Sequence, residues 1–358
     1  MKRYVLLLLL CVANIFSATY YVRSTDGDDG DDGLTVGNAW ATVQYAFDNT
    51  TAGDIVLVCA DGTHTPTATI DIDNTNIVTG ANPLTVRGCA ADGTDDGTVA
   101  TITGASISSN YIFNYNVSGI AVRCSNLRLT ASTSTAAYIQ STVDAAVISF
   151  DNCQFDNASG AGVTINESSQ TCVVMFTFCE FNNNGTYGSG NATSARGGGY
   201  YKYCSFHDNT SHGIYERGRY GKVVVDDCLI YDNGGDGILY DEASYDIKIS
   251  NSVVFGNTGD GIELASGSYA KIINTIIRSN GGYGVNKNSG NIGELYYFDY
   301  NCSHNNTSGH IDINSGNLPG SNNVTSDPKF TSETNGSEDF TLQSDSPCKN
   351  TGLNPKGL

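Results

Sequence analysis

The chain has 358 residues, of which 18 are Lys or Arg and 37 are Asp or Glu, giving a formal net charge of −19 and a pI near 4.4. Charged residues make up only 15% against 41 glycines and two methionines, which excludes a helix bundle or coiled coil, and 39% hydrophobic content excludes global disorder. The acidic balance argues against nucleic acid or an anionic membrane as a non-specific partner, because both reward Lys and Arg.

At the N-terminus Lys2 and Arg3 precede an apolar run from Val5 to Ala13 that small residues Ser17 and Ala18 close, the layout of a secretory signal peptide over 1–18. The run is too short to span a membrane and no second span comes after it, so the expectation is a secreted, extracellular protein, at the cell surface or in a periplasm. A lipoprotein reading of Cys11 is disfavoured, because Leu8-Leu9-Leu10 lacks small residues. An oxidising compartment permits disulfides, and Cys59 with Cys89 and Cys302 with Cys348 are the candidate bridges.

Residues 19–53 read as an N-terminal cap. Trp40, Val43, Ala46 and Phe47 fall on one face of a short helix expected from near Ala39, a lid for the first turn of a stack of strands. Within the cap, Asp26, Asp28, Asp29, Asp31 and Asp32 offer hard-cation ligands but lack the bidentate glutamate of an EF-hand loop, so a Ca²⁺ loop and a solvated turn both remain open. Short alternating segments at 54–58, 84–87, 99–102, 111–113 and 120–123 read as strands.

From Val147 the chain repeats. Anchors at Cys153, Cys179, Cys204, Cys228, Ser252 and Thr275 are 26, 25, 24, 24 and 23 residues apart. Three residues before each anchor stand Phe150, Phe176, Tyr201, Val225, Ile249 and Ile272; two after stand Phe155, Phe181, Phe206, Ile230, Val254 and Ile277. Nine after are Gly162, Gly188, Gly213, Gly237, Gly261 and Gly284, and five after are Asn209, Asn233, Asn257 and Asn280 in the last four. Gly and Asn tolerate positive φ, so the chain is expected to bend at the same places in every turn, with stacked asparagines bonding neighbouring backbone. The pattern predicts an all-β fold: a single right-handed parallel β-helix over 54–326, about ten turns with 23–26 residues per turn in the regular part, and a short N-terminal capping helix. An outward apolar stripe with Leu229, Val253, Ile276, Tyr231 and Phe255 should be covered, by the closing segment 327–358 in preference to an oligomer contact.

Tyr20-Tyr21-Val22, the Asp/Gly cluster Asp26 to Gly33, Leu34, Ala39-Trp40-Ala41-Thr42-Val43, Gly53-Asp54 and Gly62-Thr63 resemble the N-terminal region of secreted right-handed parallel β-helix proteins of the pectate-lyase-like superfamily. The tail is similar to their closing segment: Asp327-Pro328-Lys329-Phe330, Asp339-Phe340-Thr341-Leu342, Ser346-Pro347 and Gly352. The resemblance spans nearly the whole chain after the leader. It implies the fold and export, but the superfamily holds lyases, hydrolases, epimerases, phage spikes and adhesins, and no complete catalytic motif of one enzyme class is present.

Within the repeat, the in-line cysteines Cys153, Cys179, Cys204 and Cys228 fit buried small hydrophobes better than a tetrahedral metal site. Polar residues at apolar offsets, Ser189/Asn191 and Ile214/Glu216, mark the region where function is expected. By register His212, Glu216, Arg217, Asp236, Asp241, Glu242, Asp260 and Glu263 should share one side of the rod, with Tyr187 and Tyr215 as sugar-stacking platforms and Arg219, Glu242 and Glu263 as further substrate contacts. A uronate lyase needs a base for the proton α to the carboxylate and a group that neutralises that carboxylate, often Ca²⁺. Arg217 or Lys202 is the candidate base, His212 and Glu216 are further catalytic candidates, and Asp236, Asp241 and Asp260 are the candidate Ca²⁺ ligands; Lys202 lies between Asp151 and Asp226 on a different stripe. The expected function is polysaccharide binding, with cleavage as a Ca²⁺-assisted lyase. The alternatives are a glycoside hydrolase or epimerase, a non-catalytic glycan-binding or adhesion module, and an acidic face that is only solvated surface.

Overall fold

The computed structural model describes residues 17–352 apart from 74, 76–81, 109–110, 117–120, 141–146, 167–172, 192–197, 218–221, 242–245, 265–268, 288–293 and 313–319. The leader over residues 1–16 lies outside the described residues, as do Arg219 and Glu242.

Each repeat folds as one coil of three short strands. In the coil anchored on Cys153 these are Val147–Asp151, Gln154–Asp156 and Val163–Ile165. Successive coils stack their equivalent strands in parallel, giving sheets of eleven, ten and ten strands, here called first, second and third in chain order within a coil. Register follows the sequence repeat: Phe150 pairs with Phe176 and that with Tyr201, while Phe155 pairs with Phe181 and that with Phe206. These rings stack inside the rod, at 5.3 Å for Phe150 on Phe176 and 4.5 Å for Phe181 on Phe206, and all are fully buried. The fold class read from the repeat is the fold observed.

The asparagine column is a continuous ladder. Asn184, Asn209, Asn233, Asn257 and Asn280 each donate from Nδ2 to Oδ1 of the next asparagine at 2.9 Å, ending on Asn306. The same Oδ1 atoms accept backbone N–H groups of the preceding coil, as in Asn209 N–H to Asn233 Oδ1 at 3.2 Å. The ladder amides thereby find their partners within the protein, which a rod interior requires. The glycine column has a different cause from the one expected. Those glycines do not sit at positive φ; a Cβ on Gly162, Gly188, Gly213, Gly237, Gly261 or Gly284 would lie 2.5–2.8 Å from a carbonyl oxygen of the next coil. Positive φ falls instead one residue before the anchors, as at Asn152, Asp227 and Asn251, and four after them, as at Asn157, Asn183 and Asp208.

Chemistry at the anchor is shared across its residue types. Cys179 Sγ donates to the Thr177 carbonyl at 3.4 Å, Ser252 Oγ to Ser250 at 2.7 Å and Thr275 Oγ1 to Ile273 at 3.0 Å. The cysteines are therefore buried donors for a turn carbonyl, interchangeable with Ser and Thr. Cys59 and Cys89 face each other across paired strands with sulfurs 3.6 Å apart, and they and Cys302 are free thiols, as is Cys348.

The N-terminal end of the rod is capped. The helix Val43–Asn49 starts later than expected, where Thr42 Oγ1 accepts the Tyr45 N–H at 3.1 Å, and it buries Val43, Ala46 and Phe47. Trp40 precedes the helix and stacks on Tyr20 at 4.5 Å. Asp29 accepts the Ala41 and Thr42 N–H groups, and Asp28 and Asp32 accept those of Gly30 and Leu34, so these three aspartates of the loop serve as turn and helix caps. On the flank of the second sheet the hairpin Phe330–Ser332 with Asp339–Leu342 lays Phe330 and Phe340 over Tyr231 and Phe255, covering that part of the outward apolar stripe, while Leu229 stays exposed.

Asn233→Ala removes the acceptor of two buried Asn209 donors, so it should cost about 2–4 kcal/mol of unfolding free energy in a denaturant titration. A loss below about 1 kcal/mol would show that the ladder is not a principal restraint.

Candidate functional site

The flank predicted from register is assembled at the third sheet and the turn leading into it. Strands Ile214–Glu216, Ile238–Tyr240 and Ile262–Leu264 are paired so that Tyr215, Leu239 and Glu263 stand side by side on the outer face. The turn residue before each column glycine stacks on its equivalent. His212 Nδ1 accepts the Asp236 N–H at 3.0 Å, Asp236 Oδ1 accepts the Asp260 N–H at 2.6 Å, and Asp260 accepts the Tyr283 N–H and the Asn286 amide.

Carboxylate oxygens of Asp236, Asp260 and Glu263 lie within 4.8 Å of one another. Burial, followed by the charges of Asp236 and Asp312, raises the Asp260 pKa above the ordinary carboxylate value. Oxygen-only donors of this charge suit a hard cation such as Ca²⁺, although the backbone bonds already engage one lone pair on each aspartate, so three carboxylates would supply part of a six- to eight-oxygen shell. Glu263 takes the place that the sequence reading gives to Asp241. Its signal is present in the pattern: Ile262 and Leu264 face inward, which turns Glu263 outward immediately after the aspartate turn.

Asp241 lies at the far end of the neighbouring strand, with Arg217 Nε 3.6 Å from its carboxylate and the Tyr215 hydroxyl donating to it at 3.0 Å. The His212 ring stacks against Tyr215 with centroids 5.7 Å apart. With Nδ1 committed to the backbone, the proton of neutral His212 is on Nε2. Tyr187 is only 8% exposed, its hydroxyl paired with Thr164 at 3.1 Å, so it buttresses Tyr215 and is not an open platform. Burial pushes its pKa up to about 12.

One further expectation needs correction, while the separate stripe expected for Lys202 is observed. Glu216 does not share the exposed face: strand alternation turns Tyr215 out and Glu216 in, leaving it 3% exposed within the rod. It lies in register between Asn191 and Tyr240, beside a buried Ser189–Tyr201 hydroxyl pair at 2.9 Å. Glu216 Oε1 and the Tyr240 hydroxyl have no hydrogen-bond partner among the described residues. The polar residues at apolar offsets thus form an interior cluster. Lys202 is on the first sheet, 3.8 Å from Asp226 and 5.0 Å from the Tyr203 ring centre, and does not belong to the flank. A cavity of about 480 Å³ lined by Thr42, Gln44 and His64 is part of the N-terminal cap and holds none of these residues.

Comparison with known proteins agrees with this geometry. Residues 137–295 match the family described as right handed beta helix region. The chain folds as a right-handed parallel β-helix. Its fold is similar to the crystal structure of pectate lyase Pel9A, at TM-score 0.69 and 17% identity over 96% of this chain and 93% of that one. It is also similar to an alginate lyase from Paenibacillus sp. str. FPU-7, at 0.52 and 12% over 86% and 98%. The catalytic unit of a GH87 α-1,3-glucanase from Streptomyces thermodiastaticus strain HF3-3 matches at 0.50 and 12% over 79% and 64%. No curated protein matches the sequence significantly. Likeness at this identity carries the β-helix, and the chemistry must come from the site. Among the described residues no helix is long and apolar enough to cross a membrane.

Burial pushes the Glu216 pKa from 4.5 up to about 8. Between those values the folded chain keeps a proton that the unfolded chain has released, so stability falls as pH rises through that window, by about 4–5 kcal/mol in all at about 1.4 kcal/mol per unit. Glu216→Gln should melt well above the parent at pH 8 and converge with it near pH 4.5; parallel melting curves at both pH values would contradict the buried, uncompensated placement.

Proposed function

We propose that the protein is a secreted polysaccharide-binding β-helix whose third-sheet flank cleaves a uronate-containing glycan as a Ca²⁺-assisted lyase. The observation that carries this reading is the convergence of Asp236, Asp260 and Glu263 within 4.8 Å beside the His212–Tyr215 pair on an outer sheet face. Three like charges so close repel one another unless a cation or protons offset them. A bound Ca²⁺ would be held by these three residues and would neutralise the substrate carboxylate.

Arg217, with its Nε 3.6 Å from Asp241, is suited to binding a substrate carboxylate. The groups able to hold or move a proton on this flank are His212, through Nε2, and the Tyr215 hydroxyl, whose proton Asp241 accepts. Tyr215 also offers a partly exposed ring for a sugar face. Support for polysaccharide as the ligand class comes from the activities named for the structural neighbours, two lyases and a glucanase.

A second reading, a non-catalytic glycan-binding module, draws on the backbone bonds that Asp236 and Asp260 accept, which give both aspartates a purely structural use.

Incubation with polygalacturonate, alginate and a neutral glucan, monitored by absorbance of unsaturated uronates with and without chelator, separates the two. The lyase reading expects product from a polyuronate, loss on chelation, and a fall of about 10²-fold or more in Asp260→Ala and His212→Ala. No product from any polyuronate, with binding retained, would leave the binding module.

A further inference from the structure

The turn between the first and second sheets carries a feature that neither the fold nor the third-sheet flank explains. One residue before each anchor the backbone is left-handed, and the column reads Asn126, Asn152, Phe178, Tyr203, Asp227, Asn251, Asn274 and Tyr300, with φ between 49° and 58°. Asparagine and aspartate tolerate this conformation, and the asparagines bond along the column, Asn152 Nδ2 to Asn126 at 2.8 Å and Asn274 Nδ2 to Asn251 at 3.0 Å, or to the adjoining strand, Asn251 Nδ2 to Asp226 at 2.9 Å. Phe178 and Tyr203 forgo those bonds and place bulky side chains where they are disfavoured.

Packing does not compensate them. Phe178 is 57% exposed and Tyr203 45%, stacked on each other at 4.9 Å and 13°. Met175, another exposed large apolar side chain, stands on the same sheet face in register with Tyr200.

Cations border these rings in a chain of net charge −19. Lys202 Nζ lies 5.0 Å from the Tyr203 ring centre and Lys222 Nζ 6.0 Å from that of Tyr200. Further along the same outer face Lys248 and Lys271 are exposed register neighbours, an arrangement of like charges that costs stability in the absence of an anion. Asp151, Asp226 and Asp227 share the face, and Asp226 is engaged with Lys202 and with Ser250 and Asn251. From Met175 to Lys271 the strip covers four coil steps, about 19 Å at the usual strand spacing.

We propose that this outer face of the first sheet is a second glycan-binding surface, on which a polyuronate chain rests its sugar faces on the Phe178–Tyr203 pair and Met175 and its carboxylates near Lys248 and Lys271. It is separate from the third-sheet flank and does not depend on that flank being catalytic. Ring and cation together select an acidic sugar polymer: the rings accept the C–H face of a pyranose, and the lysines distinguish a charged chain from a neutral one.

Affinity electrophoresis of the full chain through gels containing polygalacturonate, alginate or a neutral β-glucan tests this. The double variant Phe178→Asn/Tyr203→Asn installs the residue the column otherwise uses, so its melting temperature should stay level or rise while polyuronate affinity falls about tenfold, the scale of losing aromatic anchors. Lys248→Gln/Lys271→Gln should weaken polyuronate retention and flatten its salt dependence. Equal retention of the parent by neutral glucan and polyuronate, or no retention by either, overturns the proposal, as does unchanged retention of the aromatic variant. If that variant melts lower than the parent, the lysine variant decides, and its unchanged retention likewise overturns the proposal.

Discussion

The asparagine ladder is the interaction on which the rest of the rod depends. One side chain per coil donates to its neighbour's Oδ1 at 2.9 Å and to a carbonyl of the preceding coil, and its own Oδ1 accepts that coil's backbone N–H, so each coil is tied to both neighbours at one corner. This corner cannot slip by one residue without reversing the inward rows Phe150–Phe176–Tyr201 and Phe155–Phe181–Phe206, which fill the interior. The glycine column serves the same end by clearing space for the carbonyl of the next coil.

A fixed corner makes position along a coil equivalent to position on the rod surface. Residues at one offset form one axial stripe, and this is how His212, Asp236 and Asp260 come to stack although they are 24 residues apart in sequence. Glu263 joins them from the strand after the turn. The rod supplies a rigid frame in which three carboxylates are held together against their mutual repulsion, an arrangement a flexible loop would relax.

Much of this is legible in the sequence because the repeat encodes register directly. The strands, the cap around Phe47, the C-terminal cover over Tyr231 and Phe255, and the face shared by His212, Asp236, Asp260 and Glu263 all come from offsets and alternation. The misplacements have physical causes. A carboxylate in a core is costly, which argues for placing Glu216 outside, yet strand parity, Tyr215 out and Glu216 in, prevails over that preference. Asp241 groups with Asp236 in the sequence because offset stripes do not convey distance across a three-residue strand. Residue type alone points to the glycines for positive φ, whereas the left-handed bends belong to the residues flanking the second sheet, among them Phe178 and Tyr203. Aligning the residue before each anchor exposes three aromatics, Phe178, Tyr203 and Tyr300, in a column of asparagine and aspartate.

The central claim is that coil register turns Asp236, Asp260 and Glu263 into a hard-cation site. Calorimetric titration of Ca²⁺ into the full chain, beside Glu263→Gln and Asp241→Asn, tests it most directly. The account predicts binding by the parent, a loss of about tenfold or more in affinity for Glu263→Gln, and none for Asp241→Asn. Absence of binding by the parent, or equal responses of the two variants, would contradict it.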